Sequence, residues 1–329
     1  MVRALVTGGT GSLGNALVRT WLQRDDVERL VVLSRDELKQ AQMRERFPDP
    51  RLLFFLGDVR DISRLKLAFY GVDTIIHAAA LKRVDATAND PLELIQTNVM
   101  GTANVLRAAL ASTDNPSQLR PVKVLLISSD KACLPSNIYG ASKFMAEQLT
   151  VNFNVYGAPR GCISSAVRYG NVLGSRGSVV HTWRGQGDVL TLTEPHMTRF
   201  IITMEQAVAV IDAALESMEG GEVFVPYKLP AALMEDLAQA VCTGAEYIYG
   251  GLRPGGEKMH ELLLSEEESH RTVHPGVMLP HQSTWREKSH WMNEALIAPG
   301  EVSSRKGRHE YLTVESLKEL LKDVPEGGI

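Results

Sequence analysis

Residues 4–22, ALVTGGTGSLGNALVRTWL, determine the fold that we expect for this chain. The stretch begins with a short apolar run typical of a strand, turns at the G-x-x-G-x-x-G motif of Gly8, Gly11 and Gly14, and continues as a helix-like segment to Leu22. Glycines in this context allow a sharp turn and let backbone N–H groups approach a pyrophosphate at the helix N-terminus. The stretch therefore predicts a dinucleotide-binding turn, and a turn that only packs helix on sheet is the alternative. The residues expected to contact the cofactor here are Thr7, Gly8, Gly11, Ser12, Leu13 and Gly14.

Strand-like and helix-like segments alternate through the first half of the chain. After the opening strand, apolar runs typical of strands occur at 30–34, 52–58, 72–80, 122–128 and 162–170. Helical spacing of apolar residues marks 91–110 and 137–153. This alternation predicts an α/β fold with a Rossmann-like, doubly wound parallel sheet and helices on both faces. Ligands of such sheets bind beyond the carboxyl ends of the strands.

The second half is less regular. Gly and basic residues in 171–188 suit a loop over an anionic ligand, and 203–218 has the pattern of an amphipathic helix. A strand is expected at 221–227, and short helices and loops between 229 and 290.

Composition excludes some classes of protein. The 329 residues are 44% hydrophobic and 22% charged, with a net charge of −4, which gives no general attraction to nucleic acid or anionic membranes. The three cysteines are odd in number and lack metal-like spacing, so we expect no metal and a reducing, cytoplasmic compartment. The N-terminus looks like a strand rather than a signal peptide, and no apolar run approaches the about 18 residues of a membrane span.

The second predicted strand ends at Ser34 and Arg35, where the choice between the two nicotinamide dinucleotides is usually made. An acid there binds a ribose 2′-hydroxyl, while an Arg accommodates a 2′-phosphate. Arg35 with Ser34, helped by Lys39, favours NADP, and the neighbouring Asp36 leaves NAD as the alternative.

Two further strand ends are expected to contact the cofactor. Asp58, followed by Val59, is expected to bind an adenine edge, to cap the next helix, or both. The small residues after the fourth strand that should lie against the cofactor are Ala78, Ala79 and Ala80.

We predict two structural units from these patterns. An NADP-binding Rossmann domain is expected at 1–170, with 200–226 returning to it. A smaller C-terminal substrate lobe would be built from 171–199 and 227–329.

Tyr139 and Lys143 share one face of a predicted helix, because residues four apart are neighbours. A lysine beside a phenol favours the phenolate and lowers its pKa. A tyrosine in this setting takes the proton of a substrate hydroxyl while hydride leaves for nicotinamide, and the Ser129 hydroxyl is expected to bind the same oxygen. The tetrapeptide alone is common, so a surface Tyr and Lys is the alternative.

Asp130 and Lys131 place a carboxylic acid and an amine side by side, directly after the fifth predicted strand. With the Tyr–Lys pair and the glycine turn, they indicate a nicotinamide enzyme that also removes water. A local, solvated ion pair is the alternative.

Polar residues after the fourth strand have two interpretations each. Lys82 and Arg83 are either solvated or contact an anionic substrate at the mouth of the crevice. Asn98 lies inside the following predicted helix, where Asn is unfavourable. It forms either a buried link to a neighbouring strand or a support for the catalytic loop.

Motifs along the chain occur in an order that resembles a known family. They are TGGTGSLG, SRDELKQ, GDVRD, HAAALKRV, TNVMGTANV, SSDKA, YGASK, RYGNVLGSRGSVV, MTRF and RPGGEKMHE. Together they resemble the inverting UDP-N-acetylglucosamine 4,6-dehydratases, members of the extended short-chain dehydrogenase/reductase superfamily. The resemblance covers roughly residues 1–262, and SSDKA, RYGNVLGSRGSVV and MTRF are its most specific parts.

The resemblance implies a reaction. Tyr139, with Ser129, would promote oxidation at C4 of the sugar, and the ketone makes the C5 proton acidic. Lys131 would remove that proton, while protonated Asp130 would donate to the C6 hydroxyl, which leaves as water. Hydride then returns to C6 and a proton to the opposite face of C5, giving a 4-keto-6-deoxy sugar. Related retaining dehydratases have Glu after the Asp, so Lys131 implies inversion at C5.

Lys131 needs an unprotonated amine to act as this base. We expect partial burial and the neighbouring cation of Lys143 to lower the pKa of Lys131.

The resemblance also implies contacts to the substrate. A diphosphate needs cationic partners, and Arg makes bidentate phosphate contacts. The candidates are Lys82, Asn171, Arg176, Ser178, Val179, Arg199, Arg253 and Glu257. Glu257 resembles the family's ribose-binding acid, but RPGGEK (253–258) has one Gly more than the family's RPGEK, which bears on its position. Salt bridges between domains are the alternative for the arginines.

Three functions remain open. The first is 4,6-dehydration of a nucleotide-activated N-acetylhexosamine, UDP-GlcNAc before a GDP sugar, for a surface polysaccharide or a pseudaminic acid-like sugar. A 5,6-elimination that ends in an exocyclic alkene is a variant. The second is another sugar-nucleotide epimerase or reductase, which would not need Asp130 and Lys131. The third is a non-catalytic NADP-binding regulator, which would be expected to lose Tyr139, Lys143 or Lys131.

A homo-oligomer is expected. The helix predicted at 310–321, with Thr313 as its N-cap, would cover the smaller lobe or a subunit contact.

Overall fold

Six parallel strands come from the first half of the chain in this computed structural model, which describes residues 1–82, 89–115, 120–253, 256–280, 289–305 and 310–325. The strands are β1 (Val2–Thr7), β2 (Val27–Ser34), β3 (Leu52–Leu56), β4 (Thr74–His77), β5 (Val122–Ile127) and β6 (Cys162–Val167). The helices are α1 (Ser12–Trp21), α2 (Glu37–Arg46), α3 (Ile62–Ala68), α4 (Pro91–Ile95), α5 (Gly101–Ser112), α6 (Ile138–Asn152) and α7 (Asn154–Gly157). A π-helical turn (Gln96–Met100) joins α4 to α5, and 3-10 turns lie at Asp130–Ala132 and Ala158–Arg160.

The second half adds shorter elements. The strands are β7 (Asn171–Val172), β8 (Val189–Leu192), β9 (Thr198–Ile202), β10 (Val223–Phe224), β11 (Ala231–Leu233), β12 (Glu246–Tyr249), β13 (Leu262–Leu264), β14 (Thr272–Val273), β15 (Val277–Met278) and β16 (Val302–Ser303). The helices are α8 (Val179–Arg184), α9 (Met204–Ser217), α10 (Met234–Val241), α11 (Glu266–Ser269) and α12 (Val314–Leu321), with a 3-10 turn at His290–Asn293.

Two predictions for this half need correction. The loop expected at 171–188 contains β7 and α8, and the segment 229–290 contains strands as well as helices and loops. These strands are two to four residues long, too short for a period-2 pattern to reveal them.

The central sheet has the strand order β14-β15-β10-β6-β5-β4-β1-β2-β3. The strands from β3 to β10 in this order pair in parallel, while β15 pairs antiparallel with β10 and β14 pairs antiparallel with β15. Val6, for example, pairs with Val32 on one side and with Ile76 on the other. Because β3-β2-β1-β4-β5-β6 is the order of a Rossmann sheet, the predicted α/β fold is confirmed.

Apolar side chains cover both faces of this sheet. Val6 of β1 belongs to the cluster under α1 and α9, which includes Leu17 and Ile211. Leu5 points to the opposite cluster, under α3 and α5, as expected from the alternation of side chains along a strand. Burial of each such side chain contributes about 1.5–3 kcal/mol, so two helical layers hold the strand ends in place.

A third apolar cluster lies in the C-terminal half and joins α8, α10 and α12. Thr313 caps α12 by accepting the Ser316 N–H at 3.2 Å, as predicted. The division into a Rossmann domain and a substrate lobe stays a prediction, and the strands β14 and β15 join the central sheet from outside residues 1–226. In the described part of the chain, no helix has the length and apolar character needed to cross a membrane.

Candidate active site

The glycine turn connects the end of β1 to the start of α1. Gly8 adopts φ +67°, and a Cβ on it would lie 2.8 Å from the Ala79 Cα. A Cβ on Gly14 would lie 2.0 Å from the Gly9 carbonyl oxygen, so α1 packs directly on the turn. Gly11 at the N-cap offers no side-chain acceptor to the first N–H groups of α1. This arrangement suits the binding of a pyrophosphate.

The loop after β4 and the segment of Arg176 after β7 meet beside this turn. Ser12 Oγ accepts the backbone N–H of Arg176 at 2.9 Å, and Lys82 Nζ donates to the Arg176 carbonyl at 2.9 Å. Thr7 Oγ1 accepts the Ala79 N–H at 3.2 Å. The other predicted contacts of this region are partly buried: Leu13, Ala78 and Ala80. The structure thus brings the predicted residues near the glycine turn together, while Arg83 lies outside the described residues.

The end of β2 carries the residues expected to select the cofactor. Ser34 is buried, whereas the Arg35 side chain is 53% exposed and lies 3.6 Å from the Asp58 carboxylate. Asp36 caps α2 by accepting the Lys39 N–H at 2.9 Å, and it also pairs with the Lys39 ammonium. Capping gives Asp36 a structural role, which weakens the argument for NAD.

A cleft of about 260 Å³ lies between the glycine turn and α2. Its lining residues are Thr10, Asn15, Lys39, Gln42, Met43, Arg46 and Arg176. Three of them are cations, and Arg46 Nη1 donates to Asn15 Oδ1 at 3.2 Å. A phosphate is the anion that such a donor set suits.

Asp58 does not cap the following helix. Its Oδ1 accepts the Arg60 N–H at 2.9 Å, and its Oδ2 lies 2.7 Å from Arg60 Nη2. The N-cap of α3 is Asp61, which accepts the Arg64 N–H at 3.0 Å. The capping alternative for Asp58 is therefore wrong, while its adenine contact and that of the buried Val59 stay predictions.

Asn98 lies in the π-helical turn between α4 and α5. Its Oδ1 accepts the Leu81 N–H at 2.8 Å, and its Nδ2 donates to the Leu81 carbonyl and to Ser142 Oγ, each at 3.0 Å. Ser142 lies on α6 and donates to the Tyr139 carbonyl. Asn98 thus joins the loop after β4 to the helix of Tyr139, rather than to a strand.

Asp130 and Lys131 lie in the 3-10 turn after β5. Asp130 is fully buried, and its Oδ1 accepts Lys131 Nζ at 2.8 Å and Ser129 Oγ at 2.9 Å. Lys131 also donates to Asn171 Oδ1 at 2.9 Å. The carboxylate is inaccessible to solvent, whereas the Lys131 side chain is 24% exposed, so solvent reaches the ion pair from the lysine side only.

The pKa of Lys131 is higher than expected. Burial alone would lower the pKa of Lys131, but the carboxylates of Asp130 and Glu261 outweigh burial and raise it. Burial raises the pKa of Asp130, and Glu261 adds to this rise although Lys131 opposes it. The expected lowering of the Lys131 pKa is therefore wrong, because two carboxylates rather than a cation are the dominant neighbours.

Tyr139 and Lys143 are both buried on α6, four residues apart as predicted. Lys143 Nζ donates to the Ile127 carbonyl at 2.6 Å, and burial lowers the pKa of Lys143 to about 8. Burial raises the pKa of Tyr139, although Lys131 and Ser129 act to lower it. The expected lowering of the Tyr139 pKa by Lys143 is therefore wrong, because burial dominates and Lys131 is the cation that acts on the phenol.

Asn171, Ser178 and Val179 lie in β7 and at the start of α8. Asn171 contacts Lys131, and Ser178 caps α8 by accepting the Val180 N–H at 3.3 Å. Val179 is half-buried. Of these three predicted substrate residues, Asn171 is the one that the structure joins directly to the acid–base pair.

Glu257 lies between two predicted phosphate ligands. Its Oε1 is 3.2 Å from Arg199 Nη2 and 2.6 Å from Arg253 Nη2. Gly256, directly before it, adopts φ +87°, in the left-handed region that favours glycine. Glu257 therefore contacts both arginines even though the motif RPGGEK has one glycine more than the family's RPGEK. Residues 254–255 of this motif lie outside the described residues. Both arginines form salt bridges with Glu257, but all three residues belong to the predicted substrate lobe, so these are not the salt bridges between domains given as the alternative. Phosphate binding stays a prediction.

Sequence reasoning missed several buried charges around the acid–base pair. Glu261 Oε1 lies 3.4 Å from Lys131 Nζ. Arg168, fully buried after β6, pairs with Glu147 of α6 and with Glu268 of α11. Glu261 is the last residue of the motif RPGGEKMHE, and its place in that motif was the one sequence signal that could have marked it. A sequence pattern does not show that its side chain contacts a residue 130 positions earlier.

Comparison with known proteins finds a matching family, similar sequences and similar solved structures. Residues 4–281 match a family described as "Polysaccharide biosynthesis protein". A Campylobacter jejuni protein named UDP-N-acetylglucosamine 4,6-dehydratase (inverting) is 39% identical over 272 residues, which are 82% of this chain and 79% of that protein. A Rickettsia conorii protein named UDP-glucose 4-epimerase is 40% identical over 80% of this chain and 78% of its own length. The solved structure of Pen from Bacillus thuringiensis has a TM-score of 0.88 at 30% identity and covers 98% of this chain and 97% of its own.

Proposed function

This chain belongs to the polysaccharide biosynthesis family that includes the inverting UDP-N-acetylglucosamine 4,6-dehydratases, within the extended short-chain dehydrogenase/reductase superfamily, and we propose that it dehydrates UDP-N-acetylglucosamine. The product would be the 4-keto-6-deoxy sugar inverted at C5. The observation that carries this proposal is the ion pair of the buried Asp130 with the partly buried Lys131, with 2.8 Å between Oδ1 and Nζ. An acid and a base so arranged serve an elimination, and a simple hydride transfer does not need them.

The glycine turn fits a dinucleotide because each of its tight contacts would be blocked by a Cβ. We propose NADP rather than NAD, since Lys39, Arg46 and Arg176 line one cleft beside that turn. Three cations can bind a 2′-phosphate, which NAD lacks. When bound, the nicotinamide would accept hydride from C4 of the sugar and return it to C6.

Cofactor preference can be measured directly. Arg46→Ala should weaken NADP binding about 10-fold or more while changing NAD binding little, because a charge-assisted contact to the phosphate is lost. Titration calorimetry with both dinucleotides gives the two dissociation constants. Arg44→Ala, an exposed arginine on the same helix, is the control. Equal affinity of the unmodified protein for NAD and NADP would contradict this part of the proposal.

Tyr139 is proposed to take the proton of the C4 hydroxyl. The Ser129 hydroxyl, which donates to Asp130 Oδ1 in the structure, would turn to donate to the same sugar oxygen. Burial makes the phenolate costly, and the Lys131 ammonium and Ser129 reduce that cost. Removal of this proton favours formation of the C4 carbonyl. The carbonyl acidifies the adjacent C5–H bond.

Lys131 is then proposed to remove the C5 proton while Asp130 protonates the C6 oxygen. The electrons of the C5–H bond form a C5–C6 double bond, and the C6–O bond breaks as water leaves. In the ion pair the shared proton resides on Lys131, and its transfer across 2.8 Å to Asp130 yields a neutral acid and a neutral amine. One proton therefore prepares both groups at once, without a change in net charge.

The nucleotide would be bound by the group of Arg199, Arg253 and Glu257. Arg199 is 4% exposed and lies near enough to Lys131 to affect its pKa, which supports a diphosphate site next to the acid–base pair. Exchange of the Glu257 ion pairs for phosphate and ribose contacts would keep these charges compensated.

We also propose a cytoplasmic homo-oligomer that acts in the synthesis of a polysaccharide or a pseudaminic acid-like sugar. Exposed apolar side chains on α6 support self-association, with Phe144 38%, Met145 52% and Leu149 37% exposed. Sedimentation velocity measures the oligomeric state.

The central test is incubation with UDP-N-acetylglucosamine and NADP in deuterated water, followed by NMR. We expect a 4-keto-6-deoxy product with deuterium at C5 and inverted configuration there. Lys131→Ala should slow turnover by about 10²- to 10⁴-fold, because a general base is lost. Lys66→Ala, an exposed lysine on α3, is the matched control.

Other products would change the assignment. A C4 epimer that keeps its C6 hydroxyl would indicate an epimerase, and an exocyclic alkene would indicate a 5,6-elimination. Retained C5 configuration would exclude the inverting reaction, and no turnover of UDP or GDP sugars would remove the proposal.

A further inference from the structure

Glu261 reaches the acid–base pair from a distant part of the chain. It directly precedes β13 and is 3% exposed. Its backbone N–H donates to Ser304 Oγ, and its carbonyl accepts the Ser304 N–H, each at 2.8 Å. Ser304 is fully buried, and its Oγ lies 2.9 Å from Thr198 Oγ1. The backbone of Glu261 is therefore fixed against two other segments.

The Lys131 ammonium has three oxygen neighbours among the described residues. They are Asp130 Oδ1 at 2.8 Å, Asn171 Oδ1 at 2.9 Å and Glu261 Oε1 at 3.4 Å. An ammonium has three N–H donors, so each donor has one of these oxygens within reach. The position of Nζ thus depends on three separate segments of the chain.

Other charged and titratable groups face this pair from neighbouring elements. Lys258 Nζ lies 3.7 Å from Glu261 Oε2. The charge of Arg199 on β9 lowers the pKa of both Lys131 and Glu261. The charges of Lys131 and Glu261 in turn affect the pKa of Tyr139 on α6. Glu261 Oε2 and Asp130 Oδ2 are buried and receive no hydrogen bond from any described residue. Glu261 Oε2 thus has an ion-pair neighbour in Lys258 but no hydrogen-bond donor among the described residues.

We propose that Glu261 is a positioning residue of the elimination, which holds the Lys131 amine against Asp130 and stabilises the positive charge that this amine gains from C5. The proposal rests on the proposed function and deepens it. As the C5–H electrons form the C5–C6 bond, the proton passes to Lys131, while the Asp130 proton leaves with the C6 oxygen as water. Lys131 is then an ammonium between two carboxylates, so Glu261 favours the product side of the proton transfer.

The negative charge of Glu261 has a measurable consequence for pH dependence. The elimination needs the Asp130–Lys131 pair with one shared proton, and the alkaline limb of kcat/KM reports the loss of that proton. Glu261 opposes this loss, because a nearby anion favours protonation of both partners. Replacement by a neutral isostere should therefore move the alkaline limb to lower pH.

The experiment compares Glu261→Gln with the unmodified enzyme in the holo form. We expect kcat to fall roughly 10-fold or more, and the alkaline limb to move down by about one pH unit or more. The KM for UDP-N-acetylglucosamine should change less than about 3-fold, since uniform substrate binding is not altered. Glu261→Asp keeps the charge, so its limb should stay near that of the unmodified enzyme even where kcat falls. Glu266→Gln, an exposed carboxylate on the same segment, should match the unmodified enzyme in all three values.

A second measurement does not depend on turnover. The Lys131 Nζ resonance, assigned with Lys131→Arg, should titrate at lower pH in Glu261→Gln than in the unmodified protein. A fall in kcat with an unmoved limb and an unmoved Nζ titration would show that Glu261 only supports the fold, and would overturn the inference. If the unmodified enzyme fails to convert any sugar nucleotide, the proposed function fails, while the Nζ titration still decides the coupling of Glu261 to Lys131.

Discussion

Asp130 and Lys131 are poor candidates for a purely stabilising ion pair. Asp130 loses its hydration entirely and Lys131 loses most of it, and an ion pair that is desolvated in this way often contributes little to stability. Asp130 Oδ2 also receives no hydrogen bond from the described residues, which costs further free energy. A pair that does little for the free energy of unfolding and occupies a strand end is more consistent with chemistry than with structure.

At Gly14, a described glycine, a side chain has very little room. Gly14→Ala should lower the free energy of unfolding by about 3 kcal/mol or more, because its Cβ would lie 2.0 Å from the Gly9 carbonyl oxygen and backbone must move. The same shift of α1 should weaken NADP binding. Thermal unfolding and cofactor titration measure the two effects.

Gly250 provides the control for that substitution. The nearest atoms to a Cβ there are 3.8 Å away, so Gly250→Ala should leave both stability and cofactor binding nearly unchanged. Normal NADP affinity in a folded Gly14→Ala variant would contradict the close packing of α1 on the turn.

Among the helical segments, the π-helical turn at Gln96–Met100 is unusual because it holds the buried, hydrogen-bonded side chain of Asn98. π-turns are rare and often occur at functional sites. Here the turn presents Asn98 to the loop after β4 and to α6. One side chain thereby links the segment of Lys82 to the helix of Tyr139.

Loss of this link should affect catalysis more than folding. Asn98→Ala leaves the Leu81 N–H and carbonyl without their partner, at a cost of about 1–3 kcal/mol for each group that stays buried. We expect kcat to fall roughly 10- to 100-fold as Tyr139 and the loop lose their relative positions. Steady-state kinetics and thermal unfolding, with the exposed Asn152→Ala as control, separate the effects. A variant that is destabilised but has an unchanged kcat would show that the link serves only the fold.

The C-terminal half of the chain is tied to the central sheet by buried charges. Arg168 connects β6 to Glu147 of α6 and to Glu268 of α11, and its Nη1 donates to the Leu263 carbonyl at 2.9 Å. Cys133, near the acid–base pair, contacts the same Glu268 carboxylate at 3.2 Å. The network therefore fixes the segment that carries Glu261 beside the turn of Asp130 and Lys131.

Glu268 should make the stability of the protein depend on pH in the acid range. Burial acts to raise its pKa, but hydrogen bonding and the charge of Arg168 outweigh burial and lower the pKa to about 2. Because the folded pKa lies below the unfolded value, the stabilisation is complete above about pH 5 and is lost as pH falls from about 4.5 toward 2. Glu268→Gln should therefore cost roughly 3 kcal/mol at pH 7 and progressively less toward pH 2.

Urea unfolding at several pH values tests this expectation. Glu266→Gln, a neighbouring exposed acid, should show no such loss at pH 7. A deficit of Glu268→Gln that stays the same from pH 7 to pH 3 would show that its cause is packing rather than ionisation.

Local features of the chain were predictable because their causes are local. The glycine turn, the alternating strands and helices, the four-residue spacing of Tyr139 and Lys143 and the adjacency of Asp130 and Lys131 all depend on residues close in sequence. The proposed reaction came from the family resemblance rather than from these local patterns. The short strands of the second half were missed, because two to four residues carry too little pattern.

The directions of the pKa shifts and the identity of Glu261 needed the folded chain. Lys131 was expected to be influenced by Lys143, but folding places it beside Asp130 and Glu261, and the sign of its pKa shift reversed. Burial and electrostatic fields depend on which distant segments meet, and Glu261 reaches the site because Ser304 and the Arg168 network dock its segment there. The sequence by itself thus determined which chemical groups the site contains. Their pKa values were decided by long-range packing, because the Glu261 carboxylate acts on the Lys131 amine across 3.4 Å although the two residues are far apart in the sequence.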